Sequence, residues 1–153
     1  MNAAAPTLSL LIKPAQPADA AAIAALLRAA DLPHEDIGPH LENFLVARIG
    51  EEIVGAIGLE VHGLDALLRS LVVAPELRGK GVGDGLTQTI VARARSLGVR
   101  RLFLLTTTAE KFFLRRGFAV VARAIVPPAI AATAEFRSLC PATAVCMART
   151  LGS

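Results

Sequence analysis

The sequence predicts a single α/β domain: a mixed, mostly antiparallel sheet of six to seven strands flanked by helices. Three observations predict it. Strand-length apolar segments alternate with helical ones along the chain, with no internal repeat, low-complexity linker or break in composition. Three consecutive strand-like segments, 44–49, 53–61 and 66–73, are joined by the short turn stretches Gly50-Glu51-Glu52 and His62-Gly63-Leu64-Asp65, the pattern of an antiparallel meander. Finally, 153 residues suffice for one sizeable core and leave little room for two.

The elements follow in order. Residues 8–13 are expected to form a first strand. Residues 17–30 form a helix, with Pro17 in its first turn and Ile23, Leu26 and Leu27 on an apolar stripe. Residues 31–39 are loop-like. After the meander, Ala74-Pro75-Glu76 ends the third strand, and 82–97 is the clearest helix. There Val82, Leu86, Ile90, Ala94 and Leu97 recur at helical spacing and Gly98 closes the end. Residues 101–107 read as a buried strand, 109–116 as a short helix closed by Gly117, and 118–123 as a further strand. Pro127-Pro128 begins an irregular segment, and 143–150 is the last strand.

Composition narrows the function. Hydrophobic residues make up 54% of the chain, much of it alanine, which argues against long disorder. No stretch reaches the ~18 apolar residues of a membrane span; the longest, 20–27, is flanked by Asp19 and Arg28. The opening MNAAAPTLSLLIKP lacks a basic leader and an apolar signal core, so a cytoplasmic location is expected. The net charge is +3, but the 16 basic residues are scattered and there is no Trp or Tyr to stack bases. A basic pocket for an anionic ligand therefore fits better than a nucleic-acid face, and neither a nucleic-acid nor a membrane partner is expected. Cys140 and Cys146 are expected to be buried free thiols; on one extended strand they would stand ~20 Å apart. His34, His40 and His62 lack ligand spacing, and no metal is expected.

The chemistry concentrates between Leu67 and Gly83. An apolar strand, ending Leu71-Val72-Val73-Ala74-Pro75, runs into Glu76-Leu77-Arg78-Gly79-Lys80-Gly81-Val82-Gly83, which opens the amphipathic helix. Glycines let successive backbone N–H groups turn toward an anion, and the helix N-terminus adds the favourable end of its dipole. Arg78 and Lys80 add full positive charge. The loop suits a phosphate and would take a pyrophosphate well. It lacks the Gly-Lys-Ser/Thr ending of a P-loop and the third glycine of the dinucleotide fingerprint.

These residues carry a resemblance. Arg78-Gly79-Lys80-Gly81-Val82-Gly83 matches the Q/R-x-x-G-x-G/A signature of the GNAT acetyltransferases, and Lys111-Phe112-Phe113-Leu114-Arg115-Arg116-Gly117-Phe118 looks like that family's second conserved helix. The segment 102–113, with Leu105-Thr106-Thr107, is similar to the Leu-Thr-Thr segment of glutamate N-acetyltransferases. Residues 66–71, Pro127-Pro128-Ala129-Ile130 and Thr133-Ala134-Glu135-Phe136 look like GNAT proteins associated with arsenic-resistance operons.

The resemblance implies a GNAT fold with splayed central strands and acetyl-coenzyme A as acyl donor. Pantetheine would lie along the backbone of Leu71, Val72 and Val73, and the pyrophosphate on Arg78, Gly79, Lys80, Gly81, Val82 and Gly83. A backbone N–H near Leu71 or Val72 would polarise the thioester carbonyl. The family often carries a tyrosine four residues before the closing glycine as general acid. Here that position is Phe113, so water or a hydroxyl such as Thr107 would protonate the thiolate.

Ala56, Gly58 and Glu60 share a strand face; small residues beside a carboxylate suit a cleft, with Glu60 as proton acceptor. Arg69 is a candidate for binding a substrate carboxylate. If His62 to Asp65 forms a four-residue turn, however, Arg69 falls opposite Gly58 and could simply pair with Glu60. Ser70, which has no paired histidine to make it a nucleophile, and Arg137 join Arg69 as candidate substrate-binding residues. The implied activity is acetyl transfer to the primary amine of a small amino acid or amino-acid-like compound. A non-catalytic coenzyme A-binding sensor and a protein N-acetyltransferase stay open as alternatives, as does a homodimer through residues 127–141.

Overall fold

The computed structural model describes residues 9–152. The strands are β1 (Leu10–Pro14), β2 (Phe44–Ile49), β3 (Glu52–His62), β4 (Asp65–Val73), β5 (Arg101–Thr106), β6 (Ala119–Val120) and β7 (Val145–Thr150). The helices are α1 (Ala20–Ala29), α2 (Val82–Ser96), α3 (Glu110–Leu114) and α4 (Pro128–Ala131). The expected start of the first strand, Leu8, lies outside the described residues. The strands form one sheet in the order β1-β2-β3-β4-β5-β7-β6. Among the described residues only β4 and β5 pair in parallel; every other neighbouring pair is antiparallel.

Helices cover both faces. On one, Leu86, Ile90 and Ala94 of α2 pack against Ile57 and Leu59 of β3, Leu68 of β4 and Leu102 and Leu104 of β5. Leu86 and Ile90 are fully buried, and each such side chain contributes roughly 2 kcal/mol. On the other face, Ile23 and Leu27 of α1 cover Phe44, Val46, Ala56 and Val72, while Ile130 of α4 packs with Leu67, Phe103 and Cys146. The Arg69 side chain sits between these last two clusters.

The helical spacing in α2 is realised except at its end. Leu97 is exposed because the helix stops at Ser96. The amides of Gly98 and Val99 then donate back to the carbonyls of Arg95 and Ala94, which turns the chain away.

Three expectations need correction. The strand expected over 118–123 shrinks to Ala119–Val120, because the chain bends after the Val121 amide donates to the Cys146 carbonyl. The irregular segment after Pro127 holds α4 and a wide π-helical turn, Glu135–Leu139. Pro128 opens α4 at a position where its missing N–H costs nothing, and the Thr133 hydroxyl donates to the Ile130 carbonyl at 2.7 Å. Third, of the two thiols expected to be buried only Cys146, in β7, is so; Cys140, which precedes the turn at Pro141, is half-buried. Both are free thiols.

Candidate active site

The glycine loop lies where the sequence places it. Gly79 and Gly81 have φ of 79° and 85°, values that a branched side chain adopts only under strain. A Cβ built on either would meet nothing within 4 Å, so the demand is torsional and the space beside the loop is open. Gly81 is the N-cap of α2, a helix of 15 residues whose first residues line the cleft. Arg78 is exposed, and its Nε donates to the Val73 carbonyl at 3.3 Å. Asp84, in the first turn of α2, puts negative charge near this end. Arg116 offsets it, donating to Asp84 Oδ1 at 2.9 Å while lying 3.5 Å over the Phe112 ring. The cleft bounded by β4, the loop, α2 and α3 encloses about 860 Å³. Open glycine backbone, an accessible helix N-terminus and flanking arginines fit a diphosphate group.

Beyond the cleft the sheet opens. β4 pairs with β5 only over Asp65–Leu67 and Arg101–Phe103. On the other side, β3 and β4 slip register between Ala56 and Gly58, so that Ser70 and Leu71 face one residue. Ser70 is the extra residue, held at φ 63°, a conformation that costs a non-glycine residue ~1–2 kcal/mol. The bulge also switches side-chain parity: Ala66 and Leu68 point to the α2 face before it, Leu71 and Val73 after it. β4 therefore turns away from β5. The gap holds a pocket of about 180 Å³ walled by Leu68–Leu71, Leu104–Thr108, Phe113 and Glu135. Pocket and cleft share Asp31, Leu32, Leu71, Thr108 and Ala109.

A buried charge cluster forms one wall. The Arg69 side chain has no solvent exposure. Its Nη1 donates to Glu60 Oε2 at 2.6 Å and to Asp36 Oδ2 at 2.7 Å, and its Nη2 to Asp36 Oδ1 at 2.6 Å. Its Nε lies 2.9 Å from Ser70 Oγ and 3.2 Å from Glu135 Oε2. Burial works against the charge of Arg69, but Asp36, Glu135 and Glu60 outweigh it and hold its pKa above the ordinary value. The hydrogen bonds from Arg69 hold the Asp36 carboxyl below its ordinary value. Burial instead pushes Glu135 up to about 7, opposed by Arg69 and reinforced by the charges of Asp36 and Glu60. Burial, with the neighbouring Glu135, pushes the Cys140 thiol up to about 12.

The residues singled out in the sequence are distributed as follows. Leu71, Val72, Val73, Arg78, Gly79, Gly81, Val82 and Gly83 line the cleft, whereas Lys80 is exposed and outside its lining. Arg69, Ser70 and Thr107 line the pocket. Glu60 is buried behind Arg69, outside the pocket wall, with His40 Nε2 at 3.4 Å and His62 Nε2 at 3.8 Å. The two-residue connection of β3 and β4 puts Arg69 opposite Gly58, and the Arg69–Glu60 pair follows. Arg137 is exposed and outside the pocket lining. Phe113 is buried, stacked edge-on against Phe112 and Phe118.

One expectation about this face is overturned. Ala56 and Gly58 do not open a cleft: Ala56 is fully buried, and Gly58 makes room for the Phe44 ring. Sequence reasoning missed Asp36 and Glu135 as site residues. Asp36 lies 33 residues before Arg69 in a stretch without periodicity. Glu135 sits in the π-helical turn, and only its place in the segment resembling arsenic-operon proteins marked it.

A strand that peels from its parallel neighbour at a bulge, above a glycine-lined cleft that suits a diphosphate, frames the site. Residues 40–120 match the acetyltransferase (GNAT) domain family, and the chain belongs to it.

An amino-acid acetyltransferase of Ralstonia nicotianae is 39% identical over 80 residues, which cover 51% of this chain and 18% of that protein. The N-acetylglutamate synthase of Neisseria gonorrhoeae, solved with coenzyme A and L-arginine, superposes with a TM-score of 0.81 at 26% identity. That match covers 94% of this chain and 34% of the synthase. A Mycobacterium tuberculosis protein solved with CoA has the same fold, at a TM-score of 0.79 and 22% identity over 92% of this chain and 98% of its own. The chain thus spans less than a quarter of the curated relative and about a third of the synthase.

Proposed function

We propose that this chain transfers an acetyl group from acetyl-coenzyme A to the primary amine of a small amino acid or amino-acid-like compound. The observation that carries the reading is the gap between β4 and β5, where the glycine-lined cleft runs into a mostly apolar pocket walled on one side by Arg69 and Glu135. The names of the relatives supply the acceptor class. Acetyl-coenzyme A supplies the acetyl group as a thioester. The Arg78–Gly83 loop and the α2 N-terminus hold its diphosphate, and the edge of β4 beyond Leu67, which has no strand partner toward β5, receives its amide arm. The Leu71 or Val72 N–H polarises the carbonyl that is attacked. Thr107, exposed at the end of β5, or a water protonates the departing thiolate.

Ser70 and Arg69 wall the acceptor side, and Arg137 is an outer contact. The Arg69 guanidinium already holds carboxylates, so an acidic acceptor meets it only by displacing one of them. Phosphinic and arsinic amino-acid analogues belong to the same acceptor class. Phe113 favours a second reading, a coenzyme A-binding sensor without turnover, because its buried ring puts no hydroxyl where the thiolate would emerge.

Coenzyme A release separates the two readings when the protein meets acetyl-coenzyme A and a panel of glutamate, aspartate and their phosphinic and arsinic analogues. Turnover with one of them establishes the transferase, whereas tight binding without release favours the sensor over transfer to these acceptors. Arg78→Ala is expected to weaken acetyl-coenzyme A about tenfold by calorimetry, the worth of one charge-assisted contact. Its melting temperature should hardly move, because Arg78 is exposed. Gly81→Val should weaken the cofactor and lower stability together, since it strains the N-cap.

A further inference from the structure

The charge cluster contains more carboxylates than Arg69 needs. Asp36 takes the guanidinium with both oxygens and Glu60 takes a third contact. Glu135 approaches only Nε, at 3.2 Å, beside the Ser70 hydroxyl. Two carboxylates line the pocket, Asp31 and Glu135. Asp31 is exposed at the end of α1 and also borders the outer cleft, where water serves as proton acceptor. Glu135 is 4% exposed and faces the gap beside the bulge. A proton released at that depth needs a protein group to receive it. Glu60 has no direct path to the pocket, because Arg69 stands between them.

We propose that Glu135 is the group that takes the proton from the acceptor amine, an assignment that rests on the transferase reading above. Its backbone is anchored on both sides: the Cys140 amide donates to the Glu135 carbonyl at 3.1 Å, and the Arg137 amide to the Thr133 carbonyl at 3.0 Å. Its side chain is steered by Arg69 Nε on one oxygen and the Cys140 thiol, at 3.6 Å, on the other. The groups that set its basicity face it from four places: Arg69 on β4, Glu60 on β3, Asp36 ahead of β2, and Cys140 on its own segment. Burial dominates and brings the carboxyl to about 7, so it changes charge near neutral pH.

In the step, the acceptor ammonium gives one proton to the Glu135 carboxylate. The freed nitrogen pair forms the N–C bond to the acetyl carbon. The C–S bond breaks, with its electron pair leaving on sulfur. The nitrogen's second proton reaches the thiolate by way of Thr107 or a water, and Glu135 passes its proton to water. The balance is one amide, one thiol and one released proton.

The test compares the native protein, Glu135→Gln and Glu135→Asp, using the best amine from the panel and following kcat, KM and pH profile. Glu135→Gln is expected to lose ~100-fold in kcat with acetyl-coenzyme A affinity within about twofold. The native kcat/KM should bend near pH 7, whereas the Gln variant should lose that bend and climb steadily as hydroxide replaces the base. Glu135→Asp, which keeps a carboxylate on a shorter arm, should restore part of the rate and the bend. It also serves as the readout if the Gln variant fails to fold. Native turnover with an unchanged rate and bend in Glu135→Gln overturns the role of Glu135 alone. No bend in Glu135→Asp does the same. No turnover by the native protein overturns the transferase reading and this role with it.

Discussion

Arg69→Met is expected to destabilise the protein by about 4 kcal/mol at neutral pH, the range seen when a buried ion pair loses one partner. Methionine fills similar space but leaves Asp36, Glu60 and Glu135 facing one another without a cation. For a chain of this length, that deficit lowers the melting temperature by about 10 °C. The effect should depend on pH. Asp36 has a folded pKa below its ordinary 3.8, so its contribution is present above that value and lost as pH falls through the folded one. Glu135 runs the other way. Its folded pKa, about 7, exceeds the ordinary 4.5, so its contribution is full below 4.5 and lost as pH rises through 7. Arg69 lowers the pKa of both Asp36 and Glu135, so without it these two carboxyls bind protons more readily, and the deficit should shrink between pH 7.5 and pH 5. Thermal melts of both proteins across that range measure it. A deficit of the same size at every pH would mean that the carboxylates do not lean on Arg69.

Gly58→Ala is expected to cost about 3 kcal/mol, against the usual gain of ~0.5–1 kcal/mol for replacing glycine with alanine inside a strand. The new Cβ would stand 2.3 Å from Cε1 and 2.5 Å from Cζ of Phe44. That ring is fully buried and packs with Ile23, Leu27, Val46 and Val72, which cannot all shift cheaply. Urea unfolding of Gly58→Ala, and of Gly58→Ala combined with Phe44→Leu, tests the contact. The smaller side chain should recover part of the loss, because the two sites are coupled. Additive losses would place the strain elsewhere in the strand.

These two residues mark where the sequence was legible. The turn His62-Gly63-Leu64-Asp65 sets the register of β3 and β4, and register alone puts Arg69 within reach of Glu60. α2 could be read from Val82, Leu86, Ile90 and Ala94, because a helix writes its buried face into residue spacing. The glycine loop from Arg78 to Gly83 could be read, because glycine torsions, a helix N-terminus and adjacent cations are all local. Gly58 was misread. A missing side chain suits an open cleft or a close neighbour equally, and only the path of β2 brings Phe44 across it.

By itself, then, the sequence determined what neighbouring residues can express: the order of the main strands and helices, the meander, the glycine loop and the family it belongs to. The tertiary structure decided the rest. It placed the bulge at Ser70, which the unbroken apolar run around Leu71–Val73 cannot specify, and so opened the gap between β4 and β5. It also brought Asp36 and Glu135 to Arg69 from distant segments with no periodicity. Those contacts arise from how α1, α4 and the π-helical turn pack over one face of the sheet, and no spacing within a single element encodes that packing.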